Sequence, residues 1–341
     1  MSTKEAKRRS PGLRPGRPNR DNATWITYFQ LACFAWFMYG FGASQALLRD
    51  DQGTTRAVSA LHSTSLATAG IISGLITSRF IERWGRGMVL RLGSVGTITG
   101  VLIYTLPDAA YPVTMLGAFV TSFFGTIMFI TVNAFLIDHQ GPAGSAAITE
   151  GNALASVAGL IAPLAIGIGA ATFLGWRWGL ICVAIGLVIL ELIRGRSVAL
   201  YNDAHHAPTV MAEGRMPASF AWNTVIVMCF LGAEFSFILW GADLLRERAQ
   251  FGPAAAAASV AAVTGGMAIG RVVGARLAQT LPNDLILKWS VVIALVGFAL
   301  AWVTASGVPI LIGMFVTGVG LGVQWPLGVA RAVATSGGRT D

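Results

Sequence analysis

Ten apolar runs dominate the chain, at about 25–48, 57–80, 87–106, 110–137, 151–174, 177–197, 219–245, 253–280, 284–305 and 307–331. A run of roughly 20 such residues crosses a bilayer as a helix. Inside hydrocarbon every backbone polar group must be satisfied within the protein, so isolated strands are excluded and helices follow. Composition agrees: 12% of residues are charged, against roughly 25% in soluble domains. Glycines spaced by four recur at Gly70/Gly74, Gly96/Gly100, Gly266/Gly270/Gly274 and Gly318/Gly322, a spacing that lets membrane helices approach closely. The expected fold class is an all-α polytopic membrane protein.

The net charge of +8 does not point to nucleic acid, because of where it lies. Seven basic residues fall in the first twenty, in a Pro/Gly/Arg-rich stretch that reads as a disordered tail over 1–24. The apolar run behind it is too long for a signal-peptide core. With the N-terminus cytoplasmic, the inner loops and helix ends hold eighteen Lys/Arg and the outer loops five, as the positive-inside rule requires. The loop "IDHQGPAGSAAITEG" is the exception and carries none. Arginine outnumbers lysine 21 to 3, a GC-rich bacterial bias. The expected location is a bacterial cytoplasmic membrane, multi-pass. Cys33, Cys182 and Cys229 are isolated and show no metal or disulfide spacing; no cofactor is expected.

Shifting the sequence by 197 residues lays 46–80 on 243–277 without a gap, with Leu47/Leu244, Leu48/Leu245, Arg49/Arg246 and Arg79/Arg276 among the identities. Spans 1–4 then correspond to spans 7–10. The organisation read from this is a six-helix half over 25–197, a cytoplasmic linker over 198–218, and a second half over 219–341 with four helices. Residue 341 falls opposite Gly144, so counterparts of the fifth and sixth spans are absent from this sequence, as in a C-terminally truncated twelve-helix design. Such internal symmetry is typical of secondary transporters, with the substrate site between the repeats.

The turn "SRFIERWGRGMVL" (78–90) resembles the signature loop of the major facilitator superfamily, G-x-x-x-D-R-x-G-R-R/K. Glu82, Arg83, Gly85 and Arg86 fill its acid, base, glycine and base positions, while Ser78 and Gly87 depart from it. In the second half Gln279, Thr280 and Pro282 replace Glu82, Arg83 and Gly85. "AGLIAPLAIG" (158–167) faintly resembles the family's antiporter-associated helix-5 motif, with only Pro163 and Gly167 in register. Pro163 is expected to kink that helix. "LGWRWGL" (174–180) resembles the family's bridge between helices 5 and 6, with Trp176 and Trp178 suited to the interface. The resemblance implies a two-half bundle with a pseudo-twofold repeat, helices 11 and 12 absent, whose inner loop is a gating latch and whose helices 1, 4, 7 and 10 line a central cavity.

On those helices the candidates for substrate or proton handling are Glu234, Tyr39, Trp36, Trp240, Asn133, Thr121 and Gln324. An ionisable group within a span is a functional candidate by default. Glu234 sits among Phe230, Phe235 and Phe237, opposite Phe37 in the repeat, so the acid belongs to one half only. An acid that gains and loses a proton as the cavity changes sides would couple transport to the proton gradient. The rival reading is a permanent structural pair. Arg271 is the possible charge partner, but helical rise puts it ~13 Å above the inner end against ~22 Å for Glu234, which argues against a direct contact. The function expected is secondary active transport of a small organic solute by alternating access, coupled to protons, by a monomer, with uptake and efflux both open. The alternatives are a non-transporting remnant, or a membrane enzyme on lipid-linked substrate using Asp50-Asp51 as an outer metal pair. No nucleotide-binding loop is present to drive transport directly.

Overall fold

The computed structural model describes residues 18–195, 201 and 217–335, and all regular structure in them is helical. The helices are α1 Asn22–Gln52, α2 Arg56–Tyr104, α3 Tyr111–Gln140, α4 Gly144–Ala170, α5 Arg177–Arg194, α6 Ala218–Arg248, α7 Pro253–Ser259, α8 Ala261–Leu277, α9 Asn283–Val303 and α10 Gly307–Thr335. A 3-10 turn, Gly141–Ala143, joins α3 to α4. α1 begins at Asn22, inside the stretch expected as tail. Asp21 caps it, accepting from the Thr24 amide at 2.8 Å. The basic residues up to Arg17, the His205-His206 pair and most of the 198–218 stretch lie outside the described residues.

Among the described residues, seven helical stretches are long and apolar enough to cross a membrane. Two of them reverse direction inside. Within α2 the rings of His62 and Tyr104 lie 6.3 Å apart, whereas an unbroken helix would separate them by ~60 Å. The reversal is at Gly85, whose φ of 75° and ψ of 156° suit only glycine. The equivalent break between α8 and α9 uses Pro282 at φ −62° instead. α3 and α4 likewise reverse at Gly141. Thr114 and Gln140 of α3 bond to opposite ends of α1, at Gln52 and Thr24, while Gly151 and Gly159 of α4 follow Tyr28 and Tyr39 in the same order. With α5, the described residues make ten helical passages, as the apolar runs predict.

Repeat and packing agree. The 197-residue shift carries the start of α2 onto the start of α7, and the starts of α1 and α3 to within one residue of those of α6 and α10. Gly93, Gly96 and Gly100 of α2 lie against Met128, Phe124 and Thr121 of α3 with no room for a Cβ. In the second half Gly266 and Gly270 of α8 meet Phe315 and Val319 of α10, and Gly318 and Gly322 return the contact onto Val263 and Met267. Gly70 and Gly74 differ: a Cβ on Gly70 would meet Ser122 and Thr126 of α3 at an ordinary 3.7 Å, and Gly74 has nothing within reach, so that spacing makes no close helix approach here. α1 and α4 form one wall of the seam between the halves; α6, α7 and α8 form the other. Gly42 packs on Ile238, and a Cβ on Gly167 would stand 2.5 Å from that of Ala258. α4 runs through Pro163 as one helix. Gly167 therefore serves as a close contact between halves. Several buried amides find partners across helices: Gln30 Nε2 donates to Ser94 at 2.8 Å and Gln45 Nε2 to Tyr104 at 2.8 Å.

Candidate functional site

Four helices converge on Glu234, two from each wall of the seam. Tyr39 of α1 donates its hydroxyl to Glu234 Oε1 of α6 at 3.1 Å. Arg271 of α8 donates through Nη1 to Ser156 Oγ of α4 at 2.7 Å and through Nη2 to Tyr39 Oη at 3.4 Å. The same Nη2 lies 3.9 Å from Glu234 Oε1. The acid is shielded and the base is not: their side chains are 9% and 31% exposed. Tyr39 holds its place because residue 159 is glycine. A Cβ there would stand 2.5 Å from Tyr39 Cδ2.

The closeness of Arg271 to Glu234 corrects the expectation from helical rise. Rise along two helices compares heights only if the helices start level. A long arginine side chain and an interposed tyrosine hydroxyl close what remains. Ser156 was not singled out from sequence; a serine on a glycine- and alanine-rich helix carries no local signal. Beyond the Ser156–Arg271 contact, toward the end bearing the N-terminus, Asn152 and Ala153 of α4 and Ala275 of α8 are exposed. The faces of α4 and α8 that meet at Ser156 and Arg271 are therefore accessible toward that end.

The other sequence candidates do not join this cluster. Trp36 donates its indole N–H to Gly179 O of α5 at 2.7 Å. Thr121 is wholly buried against Gly100 and bonds its own helix at Gly117 O, 2.8 Å. Asn133 donates to Phe129 O one turn back, at 2.8 Å. Gln324 is buried in α10 and Trp240 is exposed on α6. Trp325, unmarked by the sequence reading, is also exposed. Its helical position lies between the α10 row that touches α6 (Met314, Gly328) and the row that touches α8 (Gly318, Gly322).

A second charged cluster closes the opposite end of the seam. Arg49 of α1 makes a bidentate pair with Asp243 of α6, at 2.6 and 2.8 Å. Asp50 pairs with Arg246 at 2.7 Å, and Arg246 also reaches Ala46 O at 3.4 Å. Arg56 pairs with Glu247. The arrangement is reciprocal: Arg49 and Arg246 are repeat equivalents, and each reaches the other's helix three residues before its counterpart. The Arg49/Arg246 identity was visible in the repeat, whereas the pairing across halves was not. Asp51 joins Arg177 at 2.8 Å and the Trp176 indole at 2.9 Å. Trp176 is thereby buried, while Trp178 is exposed. Asp50 and Asp51 are each paired with an arginine, and among the described residues they belong to no group of three or more His, Cys, Asp or Glu that could hold a metal.

At the end bearing the N-terminus the signature loop stays within the first half. Arg86 pairs with Asp138 of α3 at 2.5 Å. Glu82 and Arg83 are exposed and make no ion pair among the described residues. Glu150 is bound by Arg20 at 2.8 Å and by Tyr28 at 3.3 Å, also within that half.

The fold is shared with solved membrane transporters. A bacterial homologue of the human lysosomal transporter Spinster, inward-facing and unoccupied, aligns with a TM-score of 0.63 and 14% identity over 93% of this chain and 79% of its own. A D-xylose–proton symporter aligns at 0.69 with 11% identity over 93% and 86%. A mutant of the nucleoside transporter NupG aligns at 0.65 with 13% identity over 93% and 87%. No curated protein matches the chain. The sequence model of the Major Facilitator Superfamily matches residues 25–339, and the chain belongs to that family of transporters.

Proposed function

We propose that this chain is a secondary active transporter that carries a small organic solute by alternating access and couples the movement to protons at Glu234. One observation carries the reading: the shielded carboxylate of Glu234 is held by Tyr39 of the other half, beside Arg271. Any motion that separates the walls must change the contacts of this acid. Its affinity for a proton then differs between the two states, which is the requirement for coupling. An intramembrane acid at such a seam is a proton or substrate site more often than a structural element.

The charged cluster at residues 49–56 and 243–247 supports a gate at one end. Glu82 and Arg83, without an ion pair among the described residues, support an open gate at the other. With the N-terminus cytoplasmic, as the arginine distribution favours, the state is closed outside and open inside. One chain supplies both walls of the seam, so the working unit is the monomer. The test is solute accumulation and proton flux in proteoliposomes under an imposed pH gradient. Glu234→Gln is expected to abolish proton-driven accumulation while leaving exchange of solute across the membrane measurable. Undiminished proton-driven accumulation in that variant removes Glu234 from the mechanism.

A further inference from the structure

Among the described residues Arg271 has no carboxylate within hydrogen-bond distance, only Glu234 at 3.9 Å. Every other arginine–carboxylate pair among the described residues is 3.4 Å or shorter; this one is 3.9 Å, beyond hydrogen-bond reach. Its two hydrogen bonds go to neutral hydroxyls, Ser156 and Tyr39. A guanidinium has five N–H donors in a fork that matches a carboxylate. These partners leave the Arg271 side chain 31% exposed. A cation inside a membrane bundle is expensive unless an anion meets it.

The geometry points to a substrate that is a small organic monoanion, bound through its carboxylate by Arg271, with Ser156 and Tyr39 as flanking hydroxyls. Resting on proton coupling at Glu234, it further assigns the mode as symport of one proton with one anion. The charge count gives the reason. Empty, the site holds ionised Glu234 and Arg271 and is neutral. Loaded, it holds protonated Glu234, Arg271 and the carboxylate, and is again neutral. The half-loaded forms, Arg271 with protonated Glu234 alone or with two anions, carry net charge. The walls close over a neutral site more cheaply than over a charged one, because transfer of net charge from water to a low dielectric is costly. The titratable groups facing Glu234 are Tyr39 of α1 and Arg271 of α8. α7 and α10, also packed on α6, bring none to it, Arg331 being paired with Asp284. The Tyr39 hydroxyl, donating to Glu234 and accepting from Arg271, relays between the two.

The test is thermal stabilisation of the purified full chain by acetate, lactate, gluconate and benzoate, each against its primary amide, from pH 5.5 to 8, where the acids stay ionised. At least one carboxylate is expected to stabilise the protein, its amide not, and more strongly at the lower pH. Arg271→Gln should weaken that carboxylate about 10- to 100-fold. Arg271→Lys should recover part of it, which separates loss of charge from loss of fold. Glu234→Gln, fixed in the neutral form, should bind it equally well across the pH range. Acid and amide stabilising equally, Arg271→Gln binding as the native protein does, or a panel with no Arg271-dependent ligand would each overturn the anion assignment. Proton-driven accumulation that survives Glu234→Gln, with Arg271-dependent binding intact, would instead overturn the coupling and leave the anion site standing.

Discussion

The two halves meet through charges at two levels, and the two levels are built oppositely. At the end that joins α1 to α2, Arg49 and Asp243 form a bidentate pair with side chains 12% and 9% exposed, and Asp50 with Arg246 lies beside it. Midway along the seam, Glu234 and Arg271 stand 3.9 Å apart with a tyrosine hydroxyl between them. The first cluster satisfies its charges with one another and leaves nothing for a ligand. The second leaves a guanidinium partly open. A matched pair holds a state; a mismatched pair invites a third group. On the function proposed above, the contrast separates gate from site.

The largest effect expected is on the site. Exchanging the charges, Glu234→Arg with Arg271→Glu, should not restore transport, because the acid would then lie on the open side and the base behind Tyr39. Uptake in proteoliposomes by the double variant near the native rate would show that the pair is merely structural. The gate should behave in the opposite way. Asp243→Asn leaves Arg49 buried without its anion, a loss of about 3–5 kcal/mol, and the exchange Arg49→Asp with Asp243→Arg should recover most of it. Spin labels at the exposed Leu61 and Gln250 would read this as a longer distance in the single variant and a native one in the double. An unchanged distance in Asp243→Asn would remove the gate.

A smaller effect sharpens the same comparison. Gly159→Ala pushes a methyl into the Tyr39 ring; overpacking of this kind costs about 1–3 kcal/mol. It should reduce transport while the label distance at the gate stays native. The smallest effect lies outside both clusters, at Asp21. Burial pushes its carboxyl up, but the Thr24 amide and the His139 ring outweigh this and hold it below the usual carboxylate range. Its contribution is therefore complete above the ordinary carboxylate pKa of about 4 and lost as pH falls through the depressed value. Asp21→Ala should lower thermal stability by about 1 kcal/mol at neutral pH, and the difference from the native protein should fade in acid.

How much of this was readable in advance depended on whether the information is local. The apolar runs, Gly85 as the site of a reversal and the 197-residue repeat are properties of short stretches, and the structure follows them. Glu234 was conspicuous because an acid among phenylalanines is conspicuous in any membrane span. Trp36 and Thr121 were reasonable by depth but turn toward α5 and α2. Depth follows from counting residues; direction does not, since each helix is free to rotate until its neighbours are known. Gly159 shows the limit plainly. In the sequence it is one glycine among alanines on α4, and in three dimensions it is the seat of the Tyr39 ring.

The sequence by itself determined the solvent, the helical passages, the breaks between them and the internal repeat, because hydrophobicity and backbone freedom act residue by residue. Only the tertiary structure decided which side chains meet across the seam. Tyr39, Ser156, Glu234 and Arg271 come from four helices far apart in the chain, and Arg49 finds Asp243 only when the two halves face each other. Such contacts depend on helix rotation and tilt, which packing of the whole bundle sets.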